Sequence, residues 1–136
     1  MQGAWHLDAH RGEMPGMLDP AELVAAVFNI PRRELAIGDE VSTGMFGKFY
    51  VDDLSSQPDH RSILLHTWAP GLTSRFAVAV KRHSDGSREA ILLNSVHPTS
   101  WLGRVYFRLI EIGHHFVMEV ALRRLARAAR EPVSAA

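Results

Sequence analysis

The hydrophobic pattern alternates near the N-terminus, turns helical, becomes strand-like through the middle and ends on a long helical stretch. Trp5, Leu7 and Ala9 alternate with His6, Asp8 and His10, a period of two that predicts a half-buried strand. Asp19-Pro20-Ala21-Glu22 is a helix start. The Asp19 carboxylate accepts from the open N–H groups, and Pro20 has no N–H to lose at the first helical position. Glu22 reaches back to the cap backbone. Leu23, Val24, Val27 and Phe28 then form one stripe. Pro31 ends this helix and opens a second short one through Leu35, before Gly38.

From Gly44 onward the pattern is that of strands. Gly44 to Val51 holds Phe46, Phe49, Tyr50 and Val51, and a turn follows at Gln57-Pro58-Asp59-His60. Ser62 to Trp68 is β-rich until Ala69-Pro70-Gly71 breaks it. Arg75 to Arg82 and Glu89 to His97 flank Asp85-Gly86, a hairpin signal because its tight turn needs positive φ. Three or four strands are expected in an antiparallel meander.

One long helix is predicted from about Leu102 to Ala129. At ~100° per residue, Leu102, Val105, Tyr106, Leu109, Gly113, Phe116, Val117 and Val120 share one face. Such a stripe belongs against a core. Beyond Ala121 arginines Arg123, Arg124 and Arg127 enter that sector, and Leu122 and Leu125 lie off it. The element order predicts an α+β fold: an antiparallel curved sheet, two short N-terminal helices and a long C-terminal helix. A cavity between sheet and helix is where a ligand would go. Residues 1–130 form a single domain and residues 131–136 a frayed tail.

Composition narrows the function classes. The chain has 136 residues, with 15 Lys plus Arg against 15 Asp plus Glu. A nucleic-acid binder would show a basic excess, so none is expected. The absence of cysteine excludes disulfides and thiolate metal sites. No apolar run approaches the ~20 residues of a membrane span. The N-terminus has no secretory pattern, and a cytoplasmic location is expected.

Eight histidines are the unusual feature. His114 and His115 are adjacent on a helix, so they point ~100° apart and do not chelate one metal from a single face. His66 shares a strand face with Leu64 and Trp68, and His97 with Leu93 and Ser95; either can face the helix. Asp52, Asp53 and Asp59 lack the spacing of a calcium loop and read as a solvated loop. Arg75, at the start of a strand, reads either as a surface arginine or as a clamp for an anionic head group. Trp68 and Tyr106 combine an apolar body with a polar tip, which suits them equally to lining a cavity and to filling the core. The candidate cavity lining is therefore Trp68, His66, Arg75, His97, Tyr106 and His114, with no metal, no cofactor and no catalytic residue assigned. The arginines at positions 123, 124, 127 and 130 suit the negative end of the helix dipole.

The segment from Val96 through Trp101-Leu102-Gly103-Arg104-Val105-Tyr106, continuing to His114 and Leu122-Arg123-Arg124, resembles a bacterial domain-of-unknown-function family (DUF2867). Leu102, Gly103, Arg104, Tyr106 and His114 match its final helix; Leu72, Arg75 and the stretch from Pro20 to Leu35 fit more loosely. Ile112-Gly113 stands where the family has Pro-Phe, and His115 where it has arginine. The resemblance implies the Bet v 1-like (START-like, SRPBCC) helix-grip superfamily, which includes lipid-binding proteins and polyketide cyclases.

Three functions stay open. The first is a binder of a small apolar ligand. The second is a cyclase- or hydrolase-like enzyme using His114, His66 or His97 as acid or base. The third is a homodimeric interaction module using Leu122, Leu125 and the Trp101 region.

Overall fold

The computed structural model describes the backbone of residues 6–44, 47–69 and 71–130, and all their side chains except those of 6, 69, 106, 107 and 109–115. Among the described residues the order is β1 (His6–Glu13), α1 (Pro20–Phe28), β2 (Glu40–Ser42), β3 (Lys48–Ser56), β4 (His60–Ala69), β5 (Leu72–Arg82), β6 (Arg88–Pro98) and α2 (Trp101–Arg130). The strands form one antiparallel sheet in the order β1-β6-β5-β4-β3-β2. Strands β3 to β6 are the expected meander. β1 joins beside β6, and the short β2 closes the other edge. The expected α+β class, a curved antiparallel sheet with a long C-terminal helix, is what the chain adopts. Trp5, Phe46, Pro70 and the tail at 131–136 lie outside the described residues.

Local chemistry sets these elements. Asp19 caps α1: its carboxylate accepts from the Glu22 N–H at 2.8 Å, and the Glu22 carboxylate accepts from the Asp19 N–H at 3.1 Å. Asn29, left-handed at φ 56°, ends the helix. The second short helix expected from Pro31 to Leu35 does not form. Arg32 instead donates to Asp19 and Glu34, which ties an irregular segment back to the start of α1. Gly86, at φ 86°, supplies the positive φ of the β5–β6 connection. The expected strand at 44–51 straddles the β2–β3 hairpin. Asp52 and Asp53, expected in a solvated loop, lie instead on β3 at a bulge.

The concave face of the sheet carries Phe49, Val51, Ile63, Leu65, Phe76, Val78, Val80, Ala90 and Leu92. Leu23, Val24 and Val27 of α1 pack on it, with Met118, Ala121 and Leu125 of α2. Each large side chain fully buried there contributes about 1.5–3 kcal/mol. Phe28 extends the contact, its ring 5.0 Å from that of Phe49 and 5.8 Å from that of Phe76.

Of the α2 face expected to pack, the side chains of Tyr106, Leu109 and Gly113 lie outside the described residues, and four of the described members face outward. Leu102, Val105, Phe116 and Val117 are exposed, Phe116 at 71%. The buried line runs through Gly103, Met118, Ala121 and Leu125, with Leu122, Ala128 and Ala129 beside it. Among the described residues the buried spacing of three and four lies at Met118, Ala121 and Leu125. Leu125 is fully buried, so it is not available to the expected homodimer contact. Exposed Arg123 and Arg127 continue the same outward sector as Leu102, Val105 and Phe116. Arg124 Nη1 donates to the Val27 carbonyl at 3.2 Å. It thus occupies an open carbonyl in the last turn of α1 and joins the two helices.

Candidate functional site

Strand alternation divides the candidate residues between two faces. Ile63 and Leu65 of β4 point into the core, so His66 and Trp68 cannot both join them; they share the opposite, outer face with Leu64. Arg75 is the cross-strand partner of His66, and Ser95 that of Arg75. His97, partner of Thr73, follows Val96 of the buried set and belongs to the outer face as well. His66, Trp68, Arg75 and His97 therefore stand on the side of the sheet away from α2, not between sheet and helix. The structure brings His66 and Trp68 together, with ring centroids 4.5 Å apart and edge to face. Tyr106 and His114 sit within α2, and their side chains lie outside the described residues.

The concave face carries a different polar group, on β1. The alternating hexad suggests that its apolar members face inward. The reverse holds: Leu7 is 70% exposed and His10 only 9%. His10 Nε2 lies 3.1 Å from Asp8 Oδ2, within hydrogen-bond distance. Asp8 keeps about a third of its side-chain surface open, so the pair is reachable. Asn94 on β6 stands directly across from Asp8. Its Oδ1 accepts from Ser74 Oγ of β5 at 3.1 Å. Asp8, His10, Asn94 and Ser74 thus make a polar row over three neighbouring strands, on the face that also carries the core.

The course of β1 relative to α2 follows from two close approaches. A β-carbon on Gly12 would stand 3.5 Å from Leu122, and one on Gly16 3.3 Å from the Ala129 carbonyl, so β1 and α2 advance in the same direction. Counting back at ~3.3 Å per strand residue and ~1.5 Å per helical residue, Asp8 lies level with about position 114. The core under the second half of α2 is filled by Leu23, Val24, Val27, Met118, Ala121 and Leu125.

Sequence reasoning missed Asp8 and His10 as site residues. The signal available was the hexad itself, whose polar members include a carboxylate and a histidine two residues apart and therefore on one strand face.

A second histidine–carboxylate pair is on the outer face. His66 Nδ1 lies 2.5 Å from Asp52 Oδ1, and the imidazole stacks at 5.5 Å on Tyr50. A separate open groove of about 370 Å³ lies between Ile30, Pro31, Arg32 and Arg33 on one side and Glu40, Val41 and Ser42 on the other. It shares no residue with either pair, and Arg33 bridges it to the Glu40 carbonyl. Among the described residues no group of three or more His, Asp or Glu is arranged to hold a metal. No helix there is long and apolar enough to cross a membrane.

No known family profile matches the chain, and no curated protein matches it. Solved structures do. The hypothetical protein jhp0584 from Helicobacter pylori is similar over 95% of this chain and 89% of that one, with a TM-score of 0.61 at 9% identity. An uncharacterised protein from Rhizobium leguminosarum is similar over 96% and 98%, with a TM-score of 0.53 at 12% identity. Ara h 8.0201 is similar over 90% and 99%, with a TM-score of 0.47 at 11% identity. At such identities the first two likenesses concern the fold, a curved sheet closing on a C-terminal helix.

Proposed function

We propose that the chain binds a small, mainly apolar ligand between the concave face of the sheet and the first half of α2. The observation that carries this reading is the inverted polarity of β1. Burying a polar side chain carries a cost unless it is hydrogen-bonded, and Leu or Val at position 10 would complete the core more cheaply. Chains break their own binary pattern chiefly at functional sites. A mostly apolar concavity with a few convergent polar groups is the usual form of a small-molecule site. In this reading His10, Asp8, Asn94 and Ser74 hold the polar end of the ligand, and α2 covers its apolar body. Tyr106 and His114 belong to the covering wall. Kinship with DUF2867 through Leu102, Gly103, Arg104, Tyr106 and His114 is part of this proposal, as is the cytoplasmic location expected from composition and the N-terminal sequence.

The test is titration of the full chain with ANS, an anionic dye with an apolar aromatic body, followed by displacement with decanoate. Saturable enhancement that decanoate reverses, and that His10→Leu and Asn94→Leu both weaken, is the expected result. Enhancement that is absent, or indifferent to both substitutions, refutes the proposal.

A second reading is hydrolytic or cyclase-like catalysis, favoured by the hydrogen-bonded His10–Asp8 pair. A carboxylate fixes the tautomer and orientation of an imidazole so that it can move a proton. The inner pair is favoured because it stands on the concave face, whereas the His66–Asp52 pair stands on the outer one. Turnover of p-nitrophenyl esters of fatty acids that survives in His10→Gln would exclude this pair as acid or base.

A further inference from the structure

The outer face of the sheet bears one continuous cross-strand row: Glu40 on β2, Tyr50 on β3, His66 on β4, Arg75 on β5, Ser95 on β6 and Leu7 on β1. Trp68, one step along β4, is 63% exposed. It lies against both neighbours, 4.5 Å from the His66 ring and 5.6 Å from the Tyr50 ring. The platform is braced from beneath and from the sides. Asp52 holds His66 Nδ1. Tyr50 donates its hydroxyl to Glu40 at 3.4 Å, and Lys48 Nζ lies 3.8 Å from the same carboxylate. The β3–β4 edge is also pinned by the Thr67 hydroxyl, which donates to the Lys48 carbonyl at 2.6 Å.

We propose that Trp68, Tyr50 and the Asp52-held His66 form a surface stacking site for a neutral carbohydrate. The class follows by elimination on chemistry. Large exposed aromatics are costly in water, and a fixed indole offers an apolar plane for stacking. A nucleic acid needs a positive groove around such a plane, whereas here Glu40 and Asp52 offset Lys48 and Arg75. A quaternary ammonium needs rings spread around it, whereas these rings touch one another and leave no cage. A purely apolar ligand would leave the surrounding carboxylates, Thr73 and Arg75 without use. A pyranose matches the whole set. Its C–H face lies on the indole, and its hydroxyls both donate and accept, meeting Asp52 and Glu40 as acceptors and Arg75 as donor. This site is independent of the concave one, because the sheet separates them.

Tryptophan emission and calorimetry of the full chain, titrated with neutral hexasaccharides of β-1,4-linked glucose, xylose and N-acetylglucosamine, test it. At least one is expected to bind saturably, with Trp68→Ala weakening it by about tenfold or more. Trp68→Tyr, which keeps an aromatic plane, is expected to stay within about threefold of the parent. Several results overturn the proposal: no saturable response to any of the three, a response unchanged by Trp68→Ala, tighter binding of a 5′-nucleotide, or a dimer that Trp68→Ala abolishes.

Discussion

Gly103 meets Gly71 backbone to backbone: a β-carbon on Gly103 would stand 1.8 Å from the Gly71 carbonyl oxygen. The first turn of α2 rests directly on the β4–β5 turn. The Gly71 carbonyl accepts from the Thr99 N–H at 2.7 Å, and the Ser100 hydroxyl accepts from the Gly103 N–H at 3.3 Å. Gly71 is doubly constrained, with φ 79° and Ser100 Oγ 2.4 Å from where its β-carbon would be. The obstacle at Gly103 is backbone, which cannot rotate away. Gly103→Ala is therefore expected to lower stability by about 1–3 kcal/mol, the range for overpacking, and Gly71→Ala by a similar amount. Urea denaturation of each variant gives the answer. A loss below half of the lower bound would mean that the helix is not seated on this turn.

The packing face of α2 gives a sharper contrast. Leu125 is fully buried and Phe116 is 71% exposed. Leu125→Ala is expected to cost about 2–5 kcal/mol. Phe116→Ala and Leu102→Ala are expected to stay within about 0.5 kcal/mol, as exposed positions do. The reverse order, read from the same denaturation curves, would return the packing role to the apolar stripe of the first half.

Much of this fold was legible in the residues, and the failures have physical causes. The Asp19 capping box, Asp85-Gly86 and the length of α2 are local signals, and local geometry obeyed them. The face of α2 is not a local property. Leu102, Val105 and Phe116 make a coherent stripe, but Arg123 and Arg127 extend the same sector, and a sector that takes arginines for its last two turns faces water. Weighing the helix as one unit would have chosen Met118, Ala121 and Leu125. For β1 the period of two was right and its direction was not, because alternation fixes which residues share a face and not which face is buried. Orientation was decided by pairing with β6, which sets His10 opposite Leu92 of the core. The same limit hid the split of the candidate residues: His66 and Trp68 were rightly put on one face with Leu64, but that face is the outer one.

Replacing His10 separates stability from binding. Its partner Asp8 is partly open to water, so removing the imidazole does not leave a buried charge stranded. His10→Leu is expected to change the unfolding free energy by no more than about 1 kcal/mol in either direction, the net worth of one hydrogen bond. The decanoate-reversible ANS response is expected to fall at the same time. Circular dichroism melts alongside the dye titration report both. Destabilisation well beyond that range with unchanged dye binding would make His10 a structural residue only.

Asp19 links α1 to the acid limb of stability. Burial alone would raise its carboxyl, but the Glu22 N–H, the Arg32 guanidinium and the Glu22 side chain together outweigh that and hold it below its ordinary value. A carboxyl lowered in the folded state stabilises the fold above the unfolded value, and that contribution is lost as pH falls through the folded one. Asp19→Ala is therefore expected to cost about 1 kcal/mol at neutral pH, with the gap to the parent narrowing below about pH 4. Asp19→Asn keeps the acceptor for the Glu22 N–H but gives up the charge facing Arg32, 2.9 Å away. Because asparagine caps as well as aspartate, this variant isolates the Arg32 contact, which is exposed and so small. Parent, alanine and asparagine chains compared by urea denaturation between pH 7 and pH 3 separate cap from ion pair. A gap between parent and Asp19→Ala that stays constant across that range would show that the charge on Asp19 plays no part.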